Sequence, residues 1–321
     1  NPKVHVYTEE GRRFLNSHTD LYDIIQIYSN HTSSSLAAGI GAMQTAYLQT
    51  VEAYEEYFRH LKPEGILHIN HHIYPRMITT AAAAWKRLGR DNFKKHVLVF
   101  EDAEQPDTIP TLLLKMTPWT EAEVKEIGDF LSLPSLKWEI PYRIAENPLS
   151  ADKSFLSQDF YEGELSSAFF DSLDYRAYPA TDNRPYFTFL RKHLGMLEVN
   201  TKKFVNISVA EHLNSQLLKS LIPMDIFHFC VVGLVSILFA CILVFFPILF
   251  SKVGRQHWPA KKGIHLYFSC LGSGFIIFEL TFIHVFMKFI GSPLYTFSLV
   301  VSTMLLAAGI GSLTSGRIGI T

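Results

Sequence analysis

Hydrophobic and polar positions divide this chain into two parts. Up to about Ser220 apolar and charged residues interleave; from Met224 onward charge nearly vanishes. In the first part, Tyr22–Tyr28 (YDIIQIY) is a β-rich apolar run of the kind found in buried parallel strands. Thr50–Leu61 predicts a helix, with Val51, Tyr54, Tyr57, Phe58 and Leu61 on one face. Pro63-Glu64-Gly65 turns the chain into a strand at Ile66–Asn70. Met77–Leu88 predicts an alanine-rich helix stopped at Gly89. His96–Glu101 and Thr111–Met116 predict two further strands. Thr120 is placed to cap a helix at Glu121–Leu131, with Glu123 in position for a capping box. At the start, Val4–Tyr7 predicts a short strand running into Glu9-Glu10, and Arg12–Asn16 one helical turn.

Strands alternating with helices predict an α/β fold with a mainly parallel, doubly wound sheet. The last two strands are joined without a helix, so they are expected to pair antiparallel at one edge. In such sheets a ligand lies at the carboxyl ends of the strands. That rule selects Glu9 and Glu10 after the first strand. It selects Tyr28, Ser29, Asn30 and His31 after the second, and Asn70, His71 and His72 after the third.

The second part has the lengths a bilayer requires. About 20 apolar residues cross about 30 Å of hydrocarbon. Ile226–Phe250, Leu266–Phe289 and Leu294–Leu313 each supply such a run. The connector Ser251–Gly263 holds Lys252, Arg255, Lys261 and Lys262 and no acid. The positive-inside rule would place it in the cytoplasm, and the polar part outside. Lys202, Lys203 and Lys219 before the first span weaken that assignment, so the side stays open. Glu279 sits in mid-span and is expected to face a partner helix or a polar pathway. Gly272, Gly274, Gly309 and Gly311 suit close helix packing.

Charge and composition narrow the chemistry. Among 321 residues, 29 Lys and Arg against 30 Asp and Glu give a net charge of −1, which argues against nucleic acid as a partner. All three cysteines, Cys230, Cys241 and Cys270, lie in the apolar part, so the polar part has no disulfide framework or thiolate metal site. His68, His71 and His72 surround Asn70, but successive strand residues face opposite ways and no carboxylate is near; no metal is expected. Asn30-His-Thr32 and Asn206-Ile-Ser208 match the glycosylation sequon. Both ends of the chain read as cuts.

Several segments, taken in order, resemble the spermidine synthase (polyamine aminopropyltransferase) family, and most closely its membrane-fused bacterial branch. That family has the class I S-adenosylmethionine-dependent methyltransferase fold. Asn1-Pro-Lys-Val-His-Val and Glu9-Glu10-Gly11-Arg12-Arg13-Phe14-Leu15 look like its third strand and the acidic turn after it. Tyr22-Asp23-Ile24-Ile25 looks like the fourth strand. Tyr47–Tyr54 and Leu61-Lys-Pro-Glu-Gly65 look like the helix and turn before the fifth. Pro179-Ala-Thr-Asp-Asn-Arg-Pro-Tyr-Phe187 looks like the segment that closes the domain. Gly274-Phe275 with Glu279, and Gly309-Ile-Gly311-Ser312, look like the branch's carboxyl-terminal helices.

The resemblance implies a partial Rossmann-like sheet followed by an all-α transmembrane region. Expected boundaries are 1–200 for the sheet domain, 201–223 for a linker, and 224–321 for helices at 226–250, 266–289 and 294–313. It implies a transferase of polyamine biosynthesis using S-adenosylmethionine or its decarboxylated form as substrate. Aminopropyl would pass to a small-molecule amine acceptor. Expected surroundings are the lipid bilayer, as an integral protein of a bacterial inner membrane, with a homo-oligomer as a further expectation. By the same resemblance Glu10, with Glu9, would contact the adenine end of the nucleoside. Tyr28 and His31 are the candidates for proton transfer, and Asn30 and Asp182 for substrate binding.

Two departures from the family are visible. The glycine-rich loop after its first strand, and the acid after its second, are not in this chain. Tyr28 stands where the family has an aspartate, and no carboxylate occurs between Asp23 and Glu52. A polyamine needs carboxylates to hold it and a base to take its proton. Two alternatives therefore stand beside aminopropyl transfer: a catalytically inactive nucleoside-sensing or transport-associated membrane protein, and an S-adenosylmethionine-dependent methyltransferase.

Overall fold

The computed structural model describes residues 3–7, 9–28, 45–71, 74–102, 110–132, 142–149, 167–172, 176–189, 224–246, 250–256, 261–290 and 293–315. In chain order the elements are α1 (Gly11–Ser17), β1 (Tyr22–Tyr28), α2 (Val51–Arg59), β2 (Leu61–Asn70), α3 (Tyr74–Arg87), β3 (Val97–Asp102), β4 (Thr111–Lys115), α4 (Glu121–Leu131), β5 (Tyr142–Glu146), α5 (Ser167–Ser172), α6 (Met224–Ala240), α7 (Lys252–Arg255), α8 (Lys261–Ile290) and α9 (Pro293–Ser315). The chain divides into two compact units: His18–Val235, and Asn1–Ser17 with Ser236–Thr321. Residues 201–223, expected as a linker, lie outside the described residues.

His18–Val235 is a mixed α/β unit on a five-stranded sheet of order β1-β2-β4-β3-β5. β1 and β2 are parallel, with Tyr28 opposite Asn70. β4 runs antiparallel to both β2 and β3, and β5 antiparallel to β3. β1, β2 and β3 therefore share one direction. The hairpin of β3 and β4 is antiparallel as expected, but it is not a terminal pair. β4 is inserted between β2 and β3, and β5, which the pattern did not reveal, forms the edge. The cause lies in β4 itself: Thr-Leu-Leu-Leu-Lys has Leu112 and Leu114 fully buried and Leu113 half-buried. A strand apolar on both sides needs cover on both sides, and an inner position supplies it.

Helices cover both faces. α2 buries Val51, Ala53, Tyr54, Tyr57 and Phe58. It packs on α3, whose buried side includes Met77, Ile78, Ala81, Ala84 and Trp85. On the other face Val124 of α4 joins Leu98 and Trp119, with Ile66, Phe100, Leu113 and Ile144 packed around them. α4 starts with the expected capping box: Thr120 accepts from the Glu123 amide, and Glu123 accepts from the Thr120 amide.

Val4–Tyr7 corrects one expectation. It is not part of the sheet, and Val4, Val6 and Tyr7 are exposed. A strand exists only as half of a hydrogen-bonded ladder, and among the described residues Val4–Tyr7 has no such ladder.

β2 begins irregularly. Tyr22 pairs with Leu61, but Ile24 already pairs with Ile66, so four residues of β2 bulge out against one of β1. Gly65 sits in this bulge. A Cβ there would lie 3.0 Å from the Lys62 amide nitrogen, 3.0 Å from the Tyr22 carbonyl oxygen and 3.1 Å from Leu61 Cβ. Two of those atoms are backbone and cannot swing away. Gly65→Ala is expected to cost about 1–3 kcal/mol. Chemical denaturation of the full chain in detergent checks this; an unchanged midpoint would show that the bulge relaxes freely.

The other unit contains most of the apolar helices. Three stretches, Ile226–Leu243, Lys262–Met287 and Leu294–Ser315, are long and apolar enough to cross a membrane. Their exposed side chains are mostly large and apolar, including Phe229, Leu243, Phe278 and Leu313. Such surface is expected to meet lipid rather than water. The first stretch ends in a widened π-turn at Cys241–Phe245, where the Phe246 amide bonds the Cys241 carbonyl. Pro247 follows in sequence and has no amide to continue the ladder. α8 and α9 pack against each other. Their half-buried and buried positions form facing stripes, Glu279, Ile283, Met287 and Ile290 on α8, and Thr296, Val300 and Met304 on α9.

Candidate functional site

The carboxyl ends of β1 and β2 define one edge of the sheet, and the start of β4 reaches the same edge. Asn70 pairs with both Tyr28 and Thr111. Its side-chain amide donates to Thr111 Oγ1 at 2.6 Å. The next residue, His71, is buried; its ring lies edge-on to Phe187 at 4.9 Å, and its amide donates to the Pro110 carbonyl at 3.2 Å.

α2 and α3 start at this edge, and the segment 176–189 is laced across both starts. At α2, Thr50 is the cap: its Oγ1 accepts from the Ala53 amide at 3.3 Å and donates to Asp182 Oδ1 at 2.8 Å. The Asp182 amide donates to Glu52 at 2.9 Å. The Ala46 amide donates to the Pro185 carbonyl and the Val51 amide to the Ala180 carbonyl, each at 2.8 Å. At α3, Thr79 Oγ1 donates to the Ala177 carbonyl at 2.7 Å.

Arg76 is the central fastener. It is 4% exposed, and its guanidinium donates to the carbonyls of Tyr178 (2.9 Å), Tyr186 (2.8 Å), Phe187 (2.7 Å) and Phe189 (3.1 Å). It also lies 5.7 Å from the centre of the Phe187 ring. Burial pushes this guanidinium down to about 9, and the charge of Arg176 acts the same way. The four oxygens aimed at it favour the charged form. Sequence reasoning missed Arg76 because it began the helix one residue later. The available signal was a cation in the first turn of a helix whose next nine residues, Met77–Trp85, are all apolar or small.

The sequence-selected residues are distributed unevenly. Tyr28 ends β1 and is 69% exposed. Asn30 and His31 lie outside the described residues. Asp182 is held by Thr50 at the α2 cap. Tyr47, in the 3₁₀ turn before that cap, has its hydroxyl pushed up by burial, then by Asp182 and Tyr186. Glu9 and Glu10 belong to the other unit. Glu10 acts there as the cap of α1, accepting from the Arg12 amide at 3.1 Å and the Arg13 amide at 2.9 Å. Arg13 also donates to the Ile290 carbonyl at the end of α8. Glu279 is half-buried on the α8 stripe that faces α9. His68 and His71 are described and His72 is not. Among the described residues no group of three or more His, Cys, Asp or Glu side chains could hold a metal.

A cleft of about 590 Å³ opens at the opposite edge, near Leu21, Phe58, Leu61 and Met116. Its cations are already engaged. Lys62 pairs with Asp23 at 2.9 Å, Arg59 with Glu56 at 2.7 Å, and Arg90 stacks 4.9 Å from the Trp85 ring centre. The carboxyl edge is the better candidate, because strand ends, helix starts and polar side chains converge there.

Two histidines, the half-buried His68 and the buried His96, are expected to make the unit acid-sensitive. Burial pushes the imidazole of His68 down. Burial likewise pushes that of His96 down, outweighing its hydrogen bond to the Lys115 carbonyl at 2.8 Å. Between the folded value and the ordinary one, near 6.5, the unfolded chain binds more protons. This contribution to stability is complete above about pH 6.5 and is lost as pH falls through the lower folded values. Denaturation midpoints of the full chain should fall from about pH 7 to about pH 5, and less steeply in His96→Gln. Parallel slopes in the two proteins would remove His96 from this account.

No protein-family model matches the chain, and no curated protein matches it. Among solved structures it is similar to one described as the crystal structure of a probable spermidine synthase from Corynebacterium glutamicum ATCC 13032. The two are 19% identical, with a TM-score of 0.32, over 44% of this chain and 48% of that one. The chain thus spans about half the length of that protein. A likeness this distant carries no argument about function.

Proposed function

We propose that this chain is part of a membrane-bound, spermidine synthase-like transferase that takes S-adenosylmethionine or its decarboxylated form at the carboxyl edge of the sheet. One observation carries the reading: segments remote in sequence meet at the edge where α/β sheets place ligands. Tyr47–Thr50, Asn70-His71 and the Pro179–Phe187 segment come together there, laced by Arg76, Thr50 and Asp182. Two of these are segments whose sequence resembles the aminopropyltransferase family. In this reading Tyr28 and His31 handle the proton of the acceptor amine, and Asn30 contacts the acceptor. Asp182 acts through the α2 cap, as a positioning residue. The three long apolar helices would anchor the protein in a bacterial inner membrane.

The test is incubation of the full-length protein with labelled decarboxylated and ordinary S-adenosylmethionine over a panel of amines. Product mass separates aminopropyl from methyl transfer. Binding of neither nucleoside would sink the proposal. A second reading, a nucleoside-sensing protein without catalysis, is favoured by Tyr28 at the base position. Saturable nucleoside binding without turnover of any amine would select it.

A further inference from the structure

We propose that Val4, Val6 and Tyr7 form a shallow anchor that enters the bilayer surface beside the end of the α8–α9 hairpin. The proposal rests on α8 and α9 being membrane spans. Val4–Tyr7 has the composition of a strand but lies outside the sheet, and it exposes its large apolar side chains, Val6 to 84%. Such a cluster is unfavourable against water and calls for a surface of low polarity to cover it.

A series of contacts inside one compact unit fixes where the cluster lies. The Tyr7 ring rests on the Phe14 ring at 4.7 Å, which ties the segment to α1. Glu10 caps α1 through the Arg12 and Arg13 amides, and its carbonyl accepts from the Phe14 amide at 2.9 Å. Arg13 and Phe14 are thereby held on one short helical turn. Arg13 in turn donates from Nη1 to the carbonyl of Ile290, the last residue of α8. Carbonyls at a helix end lack partners within the helix and carry the negative end of its dipole, so a guanidinium is a fitting cap. Ile290 lies just beyond the apolar stretch Lys262–Met287, and the next stretch begins at Leu294. The turn between two spans lies at headgroup depth, and the segment fastened to it lies beside that depth. Tyrosine is favoured there, because its ring is apolar while its hydroxyl stays wet. The bilayer surface is the occupant this position selects, since the two flanking spans already bring it to the turn.

The test uses the full chain in phosphatidylcholine nanodiscs, carrying Cys230→Ala, Cys241→Ala and Cys270→Ala and one nitroxide label at a time. Labels go on Val6→Cys, on Phe278→Cys in mid-span, and on Lys125→Cys on the exposed side of α4. Power saturation against oxygen and a water-soluble nickel chelate reads the depth of each. The Phe278→Cys label should read deep and the Lys125→Cys label wet. The Val6→Cys label should read about 5–10 Å into the boundary of headgroups and acyl chains. A Val6→Cys label as wet as that of Lys125→Cys overturns the proposal. So does one shielded from both reagents, which would mean that protein covers the cluster. A wet Phe278→Cys label would overturn the reading of α8 as a span, and the anchor with it. Radical footprinting of the unsubstituted chain in the same nanodiscs needs no variant to fold. Tyr7 is 56% exposed and Tyr186 39%, yet with lipid present Tyr7 should be oxidised less. Oxidation of Tyr7 equal to or above that of Tyr186 overturns the proposal.

Discussion

Replacing Arg76 with alanine is expected to destabilise the His18–Val235 unit by about 3–5 kcal/mol. Four carbonyl oxygens, from Tyr178, Tyr186, Phe187 and Phe189, share this one guanidinium. A buried carbonyl left without a donor costs about 1–3 kcal/mol, and those that regain water cost less. Arg76→Lys should lose part of this. An ammonium keeps the charge, but its three donors cannot span acceptors arranged for a planar fork. The damage should be local before it is global. Hydrogen exchange of the full chain should show segment 176–189 losing protection in Arg76→Ala while β2 and β4 keep theirs. Unchanged exchange in that segment would mean that other contacts hold it. If this edge is the ligand site, Arg76→Lys should also weaken nucleoside binding, although Arg76 itself lies beneath the surface.

Trp85→Ala should cost a similar amount, about 3–5 kcal/mol, for a different reason. Trp85 is 2% exposed and joins three elements. Its ring is edge-on to Phe58 of α2 at 5.4 Å, and lies 4.6 Å from the His96 ring and 6.1 Å from the Phe93 ring before β3. Its Nε1 donates to the Asp91 carbonyl at 3.0 Å, and Arg90 covers its outer face. Alanine would leave a cavity bounded by groups fixed to different elements, so the site can close only in part. Trp85→Phe, which keeps most of the volume, should cost clearly less. Water admitted beside His96 should also bring its imidazole back toward its ordinary value, so Trp85→Ala should flatten the acid sensitivity. Chemical denaturation by far-ultraviolet circular dichroism measures both. A loss below about 1 kcal/mol would show that the surroundings collapse onto the smaller side chain.

The parts of this fold legible in the sequence were those written locally. Thr120 and Glu123 announce their capping box because all of its atoms lie within four residues. Tyr22–Tyr28 announces a strand by composition, and the three long apolar helices announce themselves by length. Pairing is not local. Nothing within Thr111–Lys115 states which neighbours it will have; only its need for cover on both faces hints that it goes inside. Val4–Tyr7 has the look of a strand, yet a strand without a ladder is not one. β5 was missed because five residues that include Arg143 and Glu146 resemble a loop. At the candidate site, Asn70, His71 and Asp182 were reachable from the strand-end rule and the motif at Pro179–Phe187. Arg76 was not, since its partners are carbonyls about a hundred residues away and carbonyls leave no mark in a sequence.

β1 has one further consequence, for handling the protein. Ile24 and Tyr28 are 61% and 69% exposed, and the one charged side chain of the strand, Asp23, is engaged with Lys62. Among the described residues no strand covers its outer side. Stable sheets guard such margins with lysine, proline or an outward kink, and the bulge here belongs to β2. An unguarded margin is a template for adding further chains, rung upon rung. Where nothing further covers this margin, the full chain in detergent is therefore expected to polymerise through it as its concentration rises, and Ile24→Lys is expected to keep it in solution.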